Sequence, residues 1–309
     1  MNIREQLKRP VLTLALMILA NLGFSQQKAM FTQYMFNGLA VNPAYSAIDE
    51  ALNVTAVARQ QWAGFKGAPN TQTLTFHSPI GESNSSMGIL AMRDQIGEVI
   101  SENGAYLTFA QRVQISENSY VALGVNAGLS KYVANYSAIQ SAESGADPVF
   151  ADQNDLLGNF GMGVMLFSDK FYAGLSSPFF LSRDFAAREL NRGTAHKPHY
   201  MLQAGYLVSL GEDVRFKPNM LIKYVNGSPM QIDLNANFLL KEAVWLGASL
   251  RSLDSFDVLA EIEVTPSIQV GYSYDFTTTA LSKVERGSHE IMLNFRLPVK
   301  GRSFPRCYF

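Results

Sequence analysis

Tyr120-Val121-Ala122-Leu123-Gly124-Val125-Asn126-Ala127-Gly128-Leu129-Ser130-Lys131 is the stretch that decides the fold. Val121, Leu123, Val125, Ala127 and Leu129 share one parity; Ala122, Gly124, Asn126, Gly128 and Ser130 share the other. Side chains of a strand point alternately to opposite sides, so this is a strand with one greasy face and one polar or small face. A soluble sandwich carries such strands too. What tips the reading is an N-terminal export signal together with many such strands of about ten residues, continuing nearly to the C-terminus. The combination predicts an all-β chain, a transmembrane antiparallel up-and-down barrel with lipid outside and water inside.

Outward from that stretch, about fourteen candidate strands follow one another, an even number that suits closure of an up-and-down barrel. They lie near 52–61, 70–79, 86–93, 104–115, 119–132, 157–167, 170–177, 199–210, 213–225, 230–240, 243–252, 255–264, 266–276 and 289–298. An open edge would leave unpaired backbone groups in lipid, at several kcal/mol each. The same phase is readable in other strands. Ile232, Leu234, Ala236, Phe238 and Leu240 alternate with Gln231, Asp233, Asn235 and Asn237, and Ile291, Leu293, Phe295 and Leu297 with Glu290, Met292, Asn294 and Arg296. Val125 is therefore expected to face lipid and Asn126 the lumen. Arginine at 125 is expected to cost about 2–4 kcal/mol, and arginine at 126 to be tolerated if the lumen has room.

Several turns are short: Asn226-Gly227-Ser228 supplies a glycine for positive φ in a tight hairpin. Two connections are long, 133–156 and 178–198, and are the candidates for outer loops or a lumen constriction. Arg183 to Arg192 is charged enough for a short surface helix. In the second connection Phe179 and Phe180, with Arg183, Asp184, Arg188 and Glu189, form a candidate partner contact: an apolar anchor ringed by charge.

The N-terminus divides from the barrel by composition. Residues 1–25 read as a signal peptide: Arg4, Lys8 and Arg9 make a basic start, Val11 to Ala20 an apolar core, and Gly23-Phe24-Ser25 a small-residue site with cleavage expected before Gln26. The apolar run is short for a spanning anchor. Residues 26–50 do not read as a strand; Phe31, Tyr34, Met35 and Phe36 cluster, and Asn42-Pro43-Ala44-Tyr45 signals a turn. This segment is expected either to fold back into the lumen as a plug or to make a periplasmic contact. Residues 51–309 are assigned to the barrel, and the whole to the outer membrane as a multi-pass barrel.

Composition narrows the functional classes. A net charge of -1 with only 17% charged residues speaks against nucleic acid, and 47% hydrophobic residues speak against disorder. Thirteen Tyr and twenty Phe against two Trp suit aromatic girdles at the membrane interfaces. The lone Cys307 forms no internal disulfide and no metal-ligand spacing, and the four histidines, His77, His196, His199 and His289, fall into no zinc motif. No cofactor or metal is expected. A hydrolase would need a serine, a histidine and an orienting group within reach of one another. His77 and Ser78 are adjacent and so point apart, and no G-x-S-x-G is present. No catalytic residue is assigned, and an outer-membrane lipid hydrolase is the weakest alternative.

The predicted inner face is polar and carries charges of both signs: Arg215, Lys217, Lys223, Asp233, Arg251, Asp257 and Glu261, with the amide Asn235 among them. Such groups either solvate an aqueous wall or hold an inserted plug or a partner's tail; the sequence leaves both open.

The motifs then carry a resemblance. Gln33-Tyr34-Met35-Phe36-Asn37 with Asn42-Pro43-Ala44-Tyr45, Arg59-Gln60-Gln61-Trp62-Ala63-Gly64-Phe65 with Gly67-Ala68-Pro69, His77-Ser78-Pro79-Ile80, Asp94-Gln95-Ile96-Gly97, Lys217-Pro218-Asn219, Gln231-Ile232-Asp233-Leu234-Asn235 and Ser288-His289-Glu290-Ile291 run through the mature chain. In these it resembles the PorP/SprF family of outer-membrane proteins of the type IX secretion system of Bacteroidota. The ending Phe304-Pro305-Arg306-Cys307-Tyr308-Phe309 is similar to the family's Ser-Pro-Arg-aromatic close, with Phe304 in place of serine and Cys307 inserted. The resemblance implies secretion or surface anchoring of exported proteins, such as gliding adhesins, through a C-terminal sorting domain. For members of the core machine it implies contact with periplasmic type IX components. A general or substrate-selective porin, with the lumen charges as its filter, is the main alternative.

Overall fold

The computed structural model describes residues 30–139, 152–184, 197–252 and 254–301. The expected signal peptide, and Arg188 and Glu189, lie outside them. Fifteen strands form one antiparallel sheet: β1 (Leu52–Gln60), β2 (Pro69–Pro79), β3 (Ser85–Ile96), β4 (Ile100–Ser116), β5 (Ser119–Ala134), β6 (Gln153–Ser168), β7 (Phe171–Asp184), β8 (His199–Tyr206), β9 (Val208–Ser209), β10 (Val214–Val225), β11 (Gln231–Leu240), β12 (Val244–Arg251), β13 (Ser255–Thr265), β14 (Ile268–Thr277) and β15 (Ser288–Leu297). β8 and β9 both pair with β10 and make one stave broken at Leu207. Each stave pairs with its sequence neighbour, and β1 pairs with β15, so fourteen staves close into a barrel. Closure satisfies every edge, which an apolar surround demands.

Burial follows the alternation. On β5, Leu123 is 63% exposed and Asn126 only 3%. On β11, Leu234 and Phe238 are exposed while Asp233, Asn235 and Asn237 are buried. The outward apolar residues are what a hydrocarbon surround covers.

Several strands are longer than their alternation suggests, all toward the same end. β3 continues to Ile96, β4 begins at Ile100 and β6 at Gln153. The outward residues there, such as Arg93, Gln95, Ser101 and Asn103, are polar, so the greasy-polar contrast fades although the hydrogen-bonded ladder goes on. β7 departs most. Ser176-Ser177-Pro178 reads as a strand end, yet β7 bulges at Pro178 and runs to Asp184, so Arg183 and Asp184 extend a strand rather than open a surface helix. Proline has no N–H for the ladder and is placed where pairing is already broken. The Pro178 carbonyl accepts from Asn159 Nδ2 at 2.9 Å.

Candidate functional site

Residues 30–50 lie inside the barrel. They form three short 3-10 turns, η1 (Tyr34–Phe36), η2 (Gly38–Ala40) and η3 (Pro43–Ala47). Asn42 caps η3: its side chain accepts from Ala44 N at 2.9 Å, and Pro43 fills the first turn, where no donor is needed. Tyr34, Met35, Leu39, Ala44 and Tyr45 are all buried. Such a segment has little ladder of its own and depends on the wall around it.

The wall has two sides. One is apolar: Leu90 and Met92 of β3, Phe179 of β7, Met201 of β8 and Leu221 of β10 face Phe31, Tyr34 and Val41. Phe179 meets Tyr106 and His199 edge-on, at 5.5 and 6.2 Å between centroids. It therefore points inward, whereas its neighbour Phe180 is exposed on the outer face.

The other side is charged. Arg59 of β1 pairs with Asp275 at 2.6 Å and Glu290 at 3.2 Å, and its Nη1 donates to Thr32 Oγ1 at 2.9 Å. Glu290 also accepts the backbone N–H groups of Thr32 (2.9 Å) and Gln33 (2.8 Å). Thr32 Oγ1 donates to Asp275 at 2.9 Å. Arg251 pairs with Asp233 at 3.1 Å and lies 3.7 Å from Asp275 and 3.9 Å from Asp257. Asn235 Nδ2 donates to Tyr34 Oη at 2.8 Å. Lys217 Nζ sits 5.0 Å from the Phe36 ring and 5.4 Å from that of Trp245, a buried cation between aromatic faces. At the segment's other end Arg296 clamps Asp49 with two bonds of 2.6 Å, and Arg112 pairs with Glu50. Burial pushes the Asp49 carboxyl up, but the bonds and charge of Arg296 more than offset this and hold it below the ordinary range.

Of the polar and charged residues that the sequence places inward, Lys217, Lys223, Asp233, Asn235, Arg251, Asp257 and Glu261 are buried on the inner face. Arg215 shares their parity but sits half-exposed at the rim, paired with Glu242. Arg183 and Asp184 end β7. Among the residues that hold the segment, Arg59, Asp275, Glu290, Asp49 and Arg296 were not singled out as a group. Parity alone places four of them on the inner face; nothing in the sequence says which of many inward charges meet Thr32 or Asp49.

Close packing also explains two inner-face glycines. A Cβ on Gly124 of β5 would lie 2.3 Å from Ala44 N, and one on Gly163 of β6 would lie 2.0 Å from Asn42 Oδ1. The backbone of η3 passes against the wall where only glycine leaves room. Asn126, next along the same face, is buried against Gly161. An arginine there has no free lumen to enter, contrary to the conditional expectation for an open pore.

The two rims differ. β1 starts and β15 ends on one rim, which otherwise carries the turns 80–84, 117–118, 169–170, 210–213, 241–243 and 266–267. The opposite rim carries 61–68, 97–99, 135–152, 185–198, 226–230, 252–254 and 278–287. Thr32 and Gln33 are held near this second rim, and Asp49 and Glu50 near the first, so the inner segment runs the length of the lumen.

Residues 23–295 match the family described as type IX secretion system membrane protein PorP/SprF. Among solved structures, the CymD monoaromatic hydrocarbon channel is similar at 12% identity, covering 90% of this chain and 95% of that one, with a TM-score of 0.51. A FadL homologue of Pseudomonas aeruginosa shares 12% identity over 83% of this chain and 92% of its own, with a TM-score of 0.46. The outer membrane protein Omp33 of Acinetobacter baumannii shares 9% over 82% and 100%, with a TM-score of 0.44. At these identities the CymD likeness speaks for the barrel fold alone. No curated protein sequence matches the chain.

Proposed function

The chain belongs to the PorP/SprF family of type IX secretion system membrane proteins, and from that premise we propose that it docks an exported protein at the cell surface rather than conducting one. The observation that carries this reading is the filled lumen: residues 30–50 are bonded to the wall at both ends and packed between them. Fourteen staves enclose too little space for a folded domain even without that segment. A folded client therefore meets a rim, through its C-terminal sorting domain, and the lumen charges hold the chain's own segment rather than filter solutes. No catalytic role is proposed.

The reading has the chain cleaved before Gln26 and inserted in the outer membrane, with the rim of 61–68, 135–152, 185–198 and 278–287 outward. Outer-membrane barrels keep short turns in the periplasm and longer loops outside, which favours this orientation. β4, β5 and β6 exceed the roughly 9–11 residues that a tilted strand needs to cross, so this side stands taller and carries the two longest connections. The dock is placed on the connection after β7, with Arg188 and Glu189 as contacts and Arg183 and Asp184 at the strand end that leads into it; Phe179, turned inward, and Phe180, on the outer wall, lie within the strand itself.

The test is deletion of 185–192 in cells exporting a fluorescent reporter fused to a type IX sorting domain. The barrel should still shift its gel migration on heating while the reporter is lost from the surface. Retention of the reporter would show that the dock lies elsewhere on the rim.

A further inference from the structure

The register of the first five strands aligns outward-facing residues into rows. Ala56, Leu74, Ala91, Ala105 and Leu129 are directly opposite one another on β1 to β5, an unbroken apolar row. One step toward the long-loop rim, the next outward row reads Gln72, Arg93, Asn103 and Lys131 across β2 to β5. All four are exposed. The row beyond is Asn70, Gln95 and Ser101, ending at Val133. The change from apolar to polar thus falls between the same two rows on four adjacent strands, and it marks where hydrocarbon ends on this side.

The sign of that border is one-sided. Arg93 and Lys131 form no ion pair among the described residues; Arg93 donates only to the Gln95 side chain, at 3.3 Å. The carboxylates on β3 and β4 beside them have the opposite parity, and Glu98 stands beyond the strands on the 97–99 turn. Asp94 accepts from Thr71 Oγ1 at 2.7 Å, and Glu102 is buried. Neighbouring strands lie about 4.8 Å apart, so two cations separated by one strand stand about 10 Å apart at the backbone, with amide side chains on and between them. Long cationic side chains at such a border lay their stems on the apolar row and lift their charge to headgroup height.

We propose that Arg93 and Lys131, with Gln72 and Asn103, form a binding site for the phosphorylated saccharide headgroup of an outer-leaflet glycolipid. Two cations at that spacing, with no acid in their own row or the row beyond it on β2 to β5, match an anion carrying more than one phosphate, and the amides match its sugar hydroxyls. The four side chains sit just beyond the apolar row, on the rim assigned outward, so the ligand is the lipid lying against the wall rather than a free solute. This site is separate from the proposed dock after β7.

The test uses full-length protein in phosphatidylcholine nanodiscs doped with bisphosphorylated lipid A, with dephosphorylated lipid A, or with no glycolipid. Bound glycolipid is counted by native mass spectrometry. Wild type should retain bisphosphorylated lipid A at least tenfold better than the dephosphorylated form, and inorganic phosphate at millimolar concentration should not displace it. R93Q/K131Q should lose most of that preference, while K170Q, at the opposite rim, should keep it. Heat-modifiable migration reports whether each variant has folded, and the wild-type comparison of the two lipids stands without any variant. Equal retention of the two lipids, or an unchanged preference in folded R93Q/K131Q, would overturn the proposal. Displacement by inorganic phosphate would reduce the site to one for a free anion and overturn it as a lipid site.

Discussion

Arg59 is buried, and its guanidinium holds Asp275, Glu290 and Thr32 together. Removing one partner of a buried ion pair leaves the others uncompensated, at about 3–5 kcal/mol. Arg59→Met should therefore lower the unfolding free energy from urea titration of the detergent-folded barrel by about that much, with a lower midpoint, whereas Lys66→Met, on an exposed loop, should leave the midpoint nearly unchanged. Equal midpoints would mean that the network contributes no net stability. Gly124 makes a separate point. Gly124→Leu drives a side chain into the backbone of η3, which has no ladder of its own to resist displacement. Limited proteolysis of the folded variant should cut within 30–50, where wild type is protected; protection in both would show that the wall yields instead. Val125→Arg, on the exposed side of the same strand, should cost about 2–4 kcal/mol by placing charge in lipid.

At the scale of elements, the inner segment is anchored at one end by Asp49 and Arg296. The folded-state pKa of Asp49 is depressed. Its contribution is thus full above the ordinary carboxylate value of about 3.9 and fades as pH falls through the lower folded value. Unfolding temperatures of wild type and Asp49→Asn should differ at neutral pH and converge in strong acid. A gap that widened on acidification would contradict the sign. The strands were legible from alternation because hydrocarbon enforces it; their extensions beyond the membrane were not, because water accepts either parity there. β7 shows the limit most plainly, since Pro178 reads as a terminator and only the partner strand reveals a bulge.

At the scale of the whole molecule, a lumen occupied along its length should pass little current. In planar bilayers the wild-type barrel should be nearly silent, and deletion of 30–48 should open steps of porin-like size. Large steady conductance from wild type would favour the porin reading. Orientation has its own readout. In a Cys307→Ser background, Phe65→Cys should react with a membrane-impermeant maleimide on intact cells, and Lys170→Cys should react only after lysis. The reverse pattern would invert the barrel and move both the dock and the glycolipid site to the periplasmic side.

The barrel, the parity of its strands and the inward set of charges were readable from the chain alone, since each follows from a period of two set against an apolar surround. The sequence also marked residues 26–50 as something other than a strand. That Met30 to Glu50 fill the lumen, and which charges hold them, came from folding in three dimensions, because Arg59 meets Thr32 and Asp49 meets Arg296 across separations that no local pattern encodes. Register decided the rest. Arg93 and Lys131 are far apart in the chain and become near neighbours only when β3, β4 and β5 pair in one alignment, where a slip of one residue in either outer strand would turn its cation toward the lumen.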